Sequence, residues 1–479
     1  MKFSNTNRIF IMDITALSPR TVWQNFAEIC AIPHASGNEK QLSCFLMQKA
    51  EKMGLAVRQD AFYNLRIDRK EVLADSPRIL LQAHLDMVPQ VAPGKVFDFD
   101  RDPITPVIKG DFVYADGTTL GADDGIGVAL ALAVLADENI KGNISAVFTV
   151  NEETGLIGAG KLSPDFLEGD ILINLDHGDS SKICIGCAGG IRIAFDFATG
   201  STPAPAGKAV KITLSGLPGG HSGACIHEKR GNALQMLAEI VRNLPLAIAS
   251  FDGGTVDNAI PDCAVISAVL LDDVEKILFQ RSEEMKKELD ERFTLDLEVE
   301  TADMPETVWA SGFQENFLEI FSALPNGAVD FASEYGVPRT SSNLASLKST
   351  LGNLHLILSA RSLDDKKRKQ HTDLLIAQLS PLAPQVKTNS EYPGWTPDTG
   401  SELPEIVRCL RKELLGKETE IEVIHAGLEA GIFAGKNPRL KMLSISPDSF
   451  DIHTPNEHVS IPAVQEFYTI LTAFLNKLV

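Results

Sequence analysis

Positive charge is what this 479-residue chain most lacks: 44 lysines and arginines stand against 64 acids, a formal net charge of −20. A surface of that sign repels phosphate backbones and anionic lipid headgroups, so neither nucleic acid nor membrane is expected as a partner. It also suits acidic clefts that collect divalent cations. No uncharged run is long enough to span a bilayer. The stretch MKFSNTNRIFIMDITALS carries only a short apolar piece cut by Asp13, which does not read as a secretory leader. Cysteines number seven, an odd count that points to a reducing, cytoplasmic setting rather than a disulfide framework. Cys184 and Cys187 spell CxxC, but no second pair follows, and both lie in the Gly-rich, strand-like CIGCAGGIRIAFDF. Low-complexity tracts, HExxH, P-loop and GxSxG motifs are all missing, which removes the enzymes that one motif announces.

What remains is an ordinary globular composition, 44% hydrophobic and 23% charged, with length for two or three domains. The first part alternates helix-like and strand-like segments. Residues 18–53 read as helical with a loop at IPHASGNEK, PRILLQAHLDM as a strand, and LGADDGIGVALALAVLADE as a glycine-led apolar helix. ISAVFTV and DILINLD follow as strands. That order predicts α/β architecture with parallel strands. From about Cys187 the texture changes to alternating strands (IRIAFDF, AVKITLSGL, AVISAVLL, TLDLEVET, NLHLILSARS) with helical pieces between them. After TNSEYPGWTPDTGS, a linker signal, the α/β pattern resumes and ends in the helix AVQEFYTILTAFLNKL. The expectation is a discontinuous domain, 1–186 and 392–479, with a mixed, mainly parallel sheet flanked by helices. An α+β domain, 187–391, is inserted in its middle.

Five segments share one grammar, an apolar run ending in ligand-type residues: LQAHLDM, LGADDGIG, VFTVNEETG, ILINLDHGD and SISPDSFDIHTPNE. In open α/β sheets the ligand crevice lies outside the carboxyl ends of the strands, so these ends converge. His84 and Asp86 are one residue apart on a strand and project to the same side, where one orients the other or both address a common cation. Asp123 and Asp124 start a helix, where one can cap it while the other turns into the crevice. Glu152 and Glu153 follow ISAVFTV directly, and burying two like charges there is costly without a cation. Adjacent side chains diverge, so one can coordinate while its neighbour stays free as a base. Asp176 occupies the same position after ILINLD, and His453 supplies a second imidazole. Imidazole and carboxylate suit Zn²⁺, with Mn²⁺ or Co²⁺ as substitutes, and the carboxylates are too many for one tetrahedral ion. Two ions roughly 3.5–4 Å apart, sharing a bridging carboxylate, would use them all.

Together with IGCAGG, LPGGHSGACIH, GGTVDNAIP and HAGLEAGIF, these motifs resemble peptidase D. This is the aminoacyl-histidine (Xaa-His) dipeptidase branch of the dinuclear zinc peptidase superfamily, which includes carnosinases and aminoacylases. The resemblance runs over nearly the whole chain. It implies that His84 and Asp176 bind one zinc, Glu153 and His453 the other, and that Asp123 bridges them. It implies further that Asp86 orients His84 and that Glu152 is the general base. In the inserted domain it implies that His221 stabilises the tetrahedral oxyanion, in its own active site or a partner subunit's. Asn258 and Arg361 would hold the substrate's carboxylate, and Glu429 would meet its free amine. Bland roles stand beside these: a turn for Asn258, a surface ion pair for Arg361, a helix start for Glu429.

Two departures stand out. Asp123-Asp124 replaces the Asp-Asn of the family pattern, and His177 sits beside Asp176 in place of a more acidic stretch. The activity implied is hydrolysis of dipeptides, Xaa-His among them, with the inserted domain as a lid that measures a short peptide. A homodimer is compatible with the pattern. The same chemistry on N-acyl amino acids or tripeptides is the near alternative, and an inactive metal-binding scaffold is the distant one.

Overall fold

The computed structural model describes residues 13–70 and 73–479, so the apolar piece before Asp13 lies outside the described residues. The chain divides into two compact units. Of the described residues, the first comprises 13–70, 73–186, 397–422 and 428–479, and the second 187–396 and 423–427.

The first unit is built on a mixed sheet. Its strands run in the order Ala56–Gln59, Leu65–Asp68, Asn143–Thr149, Arg78–His84, Ile171–Asn174, Lys441–Ser444, Lys182–Cys187, Glu420–Ile424. Parallel pairing runs through the middle: Arg78–His84 lies between Asn143–Thr149 and Ile171–Asn174, and Lys441–Ser444 extends the set. Towards Ala56–Gln59 the pairing is antiparallel: a short connection returns the chain from Ala56–Gln59 to Leu65–Asp68, which pairs antiparallel with Asn143–Thr149. The central strands are near-continuous apolar runs, as strands covered on both faces must be. Arg78–His84 is buried from Ile79 onward, and Ile171–Asn174 throughout.

Ala122–Ala136 covers the sheet, packing on Arg78–His84, Asn143–Thr149 and the helix Arg20–Cys30. It is apolar on every side, which excludes a surface helix. Val128, Leu130, Leu132 and Val134 are 0–1% exposed. Each such burial contributes about 1.5–3 kcal/mol before chain entropy is set against it. The terminal helix Ile461–Leu478 packs on Leu403–Leu415. Among the described residues, no helix is long and apolar enough to cross a membrane.

The second unit holds a nine-stranded sheet whose assigned pairings are all antiparallel. It is ordered Asp296–Thr301, Lys208–Ser215, Ala264–Leu270, Leu246–Gly253, Val337–Thr350, Asn353–Ser362, Gly189–Ala198, Gln385–Tyr392, with Gly327–Ala332 pairing on Val337–Thr350. Its core joins alternate residues of these strands to the buried faces of Ala233–Val241 and Ser311–Ala323. The linker signal TNSEYPGWTPDTGS is overturned in its first part: Gln385–Tyr392 runs through it as an exposed edge strand. Its polar residues suit a strand whose outer side faces water.

Candidate metal centre

Each of the four parallel strands is followed by ligand-type residues. His84 ends its strand, Asp86 lies just beyond, Glu152 and Glu153 follow Asn143–Thr149, Asp176 follows Ile171–Asn174, and His453 comes after Lys441–Ser444. Three sets of ligand atoms lie within 4.8 Å of one another: His84, Asp123 and Asp176; Asp123, Glu153 and His453; and His84, Glu152 and Glu153.

Asp123 occupies the middle. Its Oδ1 is 3.1 Å from His84 Nε2, and its Oδ2 is 3.3 Å from His453 Nε2. Beyond the first imidazole, Asp176 Oδ1 lies 3.9 Å from His84 Nε2. Beyond the second, Glu153 Oε1 lies 2.8 Å from His453 Nε2. His84 Nδ1 sits 3.0 Å from the carbonyl oxygen of Asp86, which only accepts. Nδ1 therefore carries a proton, which leaves Nε2, facing Asp123 and Asp176, as the nitrogen that can ligate a cation. Such a backbone carbonyl or carboxylate partner is what fixes a ligating histidine's ring.

Asp123 and Asp124 divide the two roles open to them. Both have non-helical dihedrals, and regular helix follows. Asp124, 3% exposed, accepts from the His84 N–H at 3.2 Å and the Gly127 N–H at 3.2 Å. It turns inward as a cap. A Cβ on Gly127 would stand 2.2 Å from Asp124 Oδ1, so only glycine admits this cap. Gly121, at φ +70, is required as well: a Cβ there would meet Met87 Sδ at 2.9 Å and His34 Nε2 at 3.2 Å.

The loop bearing Glu152 and Glu153 is held by two carboxylates from elsewhere. Asp86 accepts from the Glu152 N–H at 2.9 Å, the Glu153 N–H at 3.2 Å and the Ser36 hydroxyl at 2.8 Å. Glu39 Oε1 accepts from the Asn151 N–H at 3.0 Å and the Gly37 N–H at 2.8 Å. Neither Ser36 nor Glu39 was predicted as a site residue, because a side chain that bonds to backbone amides leaves no spacing pattern to read.

The electrostatics fit a cation. Burial pushes Glu152 and Asp176 well above the carboxylate range, and neighbouring acids add to it, Glu153, Glu429 and Asp123 around the first and Asp123, Asp124 and Glu152 around the second. Hydrogen bonds to Asp123 and Glu153 raise His453 to about 10. Burial alone would lower His84, yet Asp176, Asp123 and Asp86 lift it well above an ordinary histidine. Carboxylate oxygens and imidazole nitrogens crowded this closely could hold a metal ion.

The remaining candidates belong to none of these three sets. Glu429 is 1% exposed, and its Oε2 accepts from Gln82 Nε2 at 2.5 Å and Thr149 Oγ1 at 2.7 Å. Its Oε1 has no hydrogen-bond partner among the described residues, and burial raises its pKa to about 7. His177 lies 3.0 Å from Glu422. In the second unit, His221 Nδ1 accepts from the N–H groups of Gly223 and Ala224 at 3.2 Å each. The His221–Ala259 bridge brings Asn258 alongside, and the Asn258 carbonyl accepts from the Ser222 N–H at 2.7 Å. Arg361 donates to the Tyr392 hydroxyl at 2.7 Å. Among the described residues, Cys184 and Cys187 join no ligand group.

Three comparisons bear on this arrangement. Residues 80–477 match the model of Peptidase family M20/M25/M40. The cytosol non-specific dipeptidase of Escherichia coli (strain K12) is 38% identical over 483 residues, spanning 97% of this chain and 99% of that protein. The crystal structure of aminoacylhistidine dipeptidase from Vibrio alginolyticus superposes with a TM-score of 0.87 at 36% identity, over 98% of each chain. A tripeptidase from Staphylococcus aureus superposes with a TM-score of 0.56 at 19% identity, covering 96% of this chain and 99% of that one, a likeness of fold alone.

Proposed function

This chain belongs to Peptidase family M20/M25/M40 and is an enzyme, and we propose that it hydrolyses unblocked dipeptides, Xaa-His among them, at a two-cation centre. The observation that carries this reading is Asp123, whose two oxygens face His84 and His453 while Asp176 and Glu153 flank them. His84, Asp176 and Asp123 would hold one ion; Glu153, His453 and Asp123 the other. Zinc suits the mixed nitrogen and oxygen donors, and Co²⁺ or Mn²⁺ would substitute. When bound, such a pair polarises a scissile carbonyl and acidifies water.

The chain's own residues do the rest. Glu152 takes a proton from the attacking water as the new C–O bond forms, then delivers it to the amide nitrogen as the C–N bond breaks. Burial and the neighbouring acids raise its carboxyl above the ordinary carboxylate range, the direction in which a general base gains basicity. Asp86 keeps His84 oriented and, with Glu39, holds the amides of residues 151–153 so that Glu152 keeps its place. We assign His221 to the oxyanion, Asn258 and Arg361 to the substrate carboxylate, and the unpaired Oε1 of Glu429 to its amine, on the chemistry of these groups. We infer a cytoplasmic setting, the one that the name of the Escherichia coli relative states for that protein.

The test is metal analysis of the purified protein with a panel of dipeptides, Xaa-His members included, tripeptides and N-acetyl amino acids. Glu152→Gln should keep its metal and lose activity by about 10²–10⁴-fold. A variant with both metal and full dipeptidase activity would remove Glu152 from the reaction. A wild-type enzyme active only on the acylated amino acids would move the substrate class.

A further inference from the structure

Leu120, Gly121, Ala122 and Asp123 present four consecutive backbone N–H groups, and all four converge on the carboxylate of Glu457. Leu120 and Gly121 donate to Oε2 at 2.8 and 3.0 Å; Ala122 and Asp123 donate to Oε1 at 2.7 and 3.2 Å. Glu457 is 2% exposed, so these amides stand in for water around a buried charge. An ordinary helix cap satisfies one or two amides. Here the amides belong to the turn before regular helix, since Asp123 and Asp124 are themselves non-helical.

Glu457 also lies four residues beyond His453. The turn between them is closed by the Glu457 N–H donating to the Thr454 carbonyl at 3.1 Å and by the Asn456 N–H donating to Thr454 Oγ1 at 3.1 Å. One carboxylate thus couples the loop that carries Asp123 to the loop that carries His453, whose side chains face each other at 3.3 Å.

We propose that Glu457 is a positioning residue of the metal centre, holding Asp123 at the distance from His453 at which the two share an ion. The inference rests on the two-cation reading above. It predicts an effect on metal binding that a plain helix-capping acid would not have.

The experiment uses the full chain, stripped of metal and titrated calorimetrically with Co²⁺ and with Zn²⁺, alongside the visible spectrum of the Co²⁺ form, dipeptide kinetics and thermal melting. The wild type should bind two ions. Glu457→Gln keeps one acceptor oxygen and turns an NH₂ towards the other amides. It should bind one ion about 10–100-fold more weakly, alter the Co²⁺ spectrum, and lower kcat by a similar factor with KM within about twofold. Glu457→Asp restores the charge on a shorter stem and should fall between the two. Unchanged affinity for both ions with unchanged kcat in Glu457→Gln would overturn the proposal, and so would a lowered Tm as the sole change. Failure of both variants to fold would overturn it too, since the residue would then belong to folding. A wild type that binds neither Co²⁺ nor Zn²⁺ would instead bring down the two-cation reading.

Discussion

His425 shows how a single buried side chain writes a pH dependence into the second unit. It is 4% exposed, with Nε2 2.7 Å from Ser341 Oγ, and burial, joined by the charge of Arg361, lowers its pKa to about 3. The unfolded chain therefore takes up a proton at this residue near pH 6.5, where the folded chain refuses it until about pH 3. Its contribution to stability is complete above pH 6.5 and is lost as pH falls through that window. The loss should reach about 2 kcal/mol at pH 5. Denaturant melts of wild type and His425→Gln between pH 7.5 and 4.5 check this: the variant should lose stability less steeply. Parallel slopes would show that the imidazole is not kept neutral.

The convergence of His84, Glu153 and Asp176 was legible in the sequence because each ends or follows an apolar strand, and strand ends in such a sheet meet at one edge; Asp123 instead opens an apolar helix, and His453 stands in a polar loop after Lys441–Ser444. The hold of Glu39 and Glu457 was not, because their partners are peptide N–H groups that every residue carries.

At the scale of the element, the buried helix Ala122–Ala136 is charged from outside at both ends. Glu457 meets its amino end. At the other end Arg69 donates to the Asp137 carbonyl at 2.8 Å and the Leu135 carbonyl at 3.4 Å, and bonds to the carbonyls of Val134 and Ile140 as well. Negative charge at the start and positive charge at the finish both oppose the helix dipole. An apolar helix has no polar face of its own to satisfy its last carbonyls. Arg69→Met, which keeps the stem and removes the donors, should destabilise by about 2 kcal/mol, read from urea melts. A change below about 0.5 kcal/mol would mean that water replaces the guanidinium without cost.

The helix itself was readable from ADDGIGVALALAVLA. The strand Val337–Thr350 was not, because VPRTSSNLASLKST offers no apolar run. Its buried polar residues are satisfied across the fold: Ser342 Oγ donates to the Pro325 carbonyl at 2.7 Å, and Asn343 Nδ2 to the Ala259 carbonyl at 2.7 Å.

For the whole molecule, the acids and imidazoles that meet in the first unit come from segments as far apart as His84 and His453. Folding must close long loops to gather them, and a ligand that binds only the gathered form stabilises it by mass action. Chelation should therefore lower Tm, by an amount corresponding to about 2.7 kcal/mol for an ion present at 100 times its Kd. Hydrogen exchange should quicken at residues 84–87, 120–125, 151–154 and 451–457 and stay unchanged in the strands of the second unit. Equal loss of protection in both units would refute a centre confined to the first. At this scale the α/β class could be read from the order of apolar runs. The antiparallel pairing towards Ala56–Gln59 could not, since pairing direction depends on connections whose path the residues do not spell out.

The double anchoring of Ala122–Ala136 sets a limit on how this chain can vary in length. One residue added between Gly127 and Ala136 would turn everything beyond it by roughly 100° and shift it 1.5 Å along the axis. Arg69 would then miss the carbonyls it holds, unless the turn at Asp123 slid away from Glu457 instead. Insertions should be accepted in the exposed stretch around Val96, 97% open to solvent, and refused in this helix.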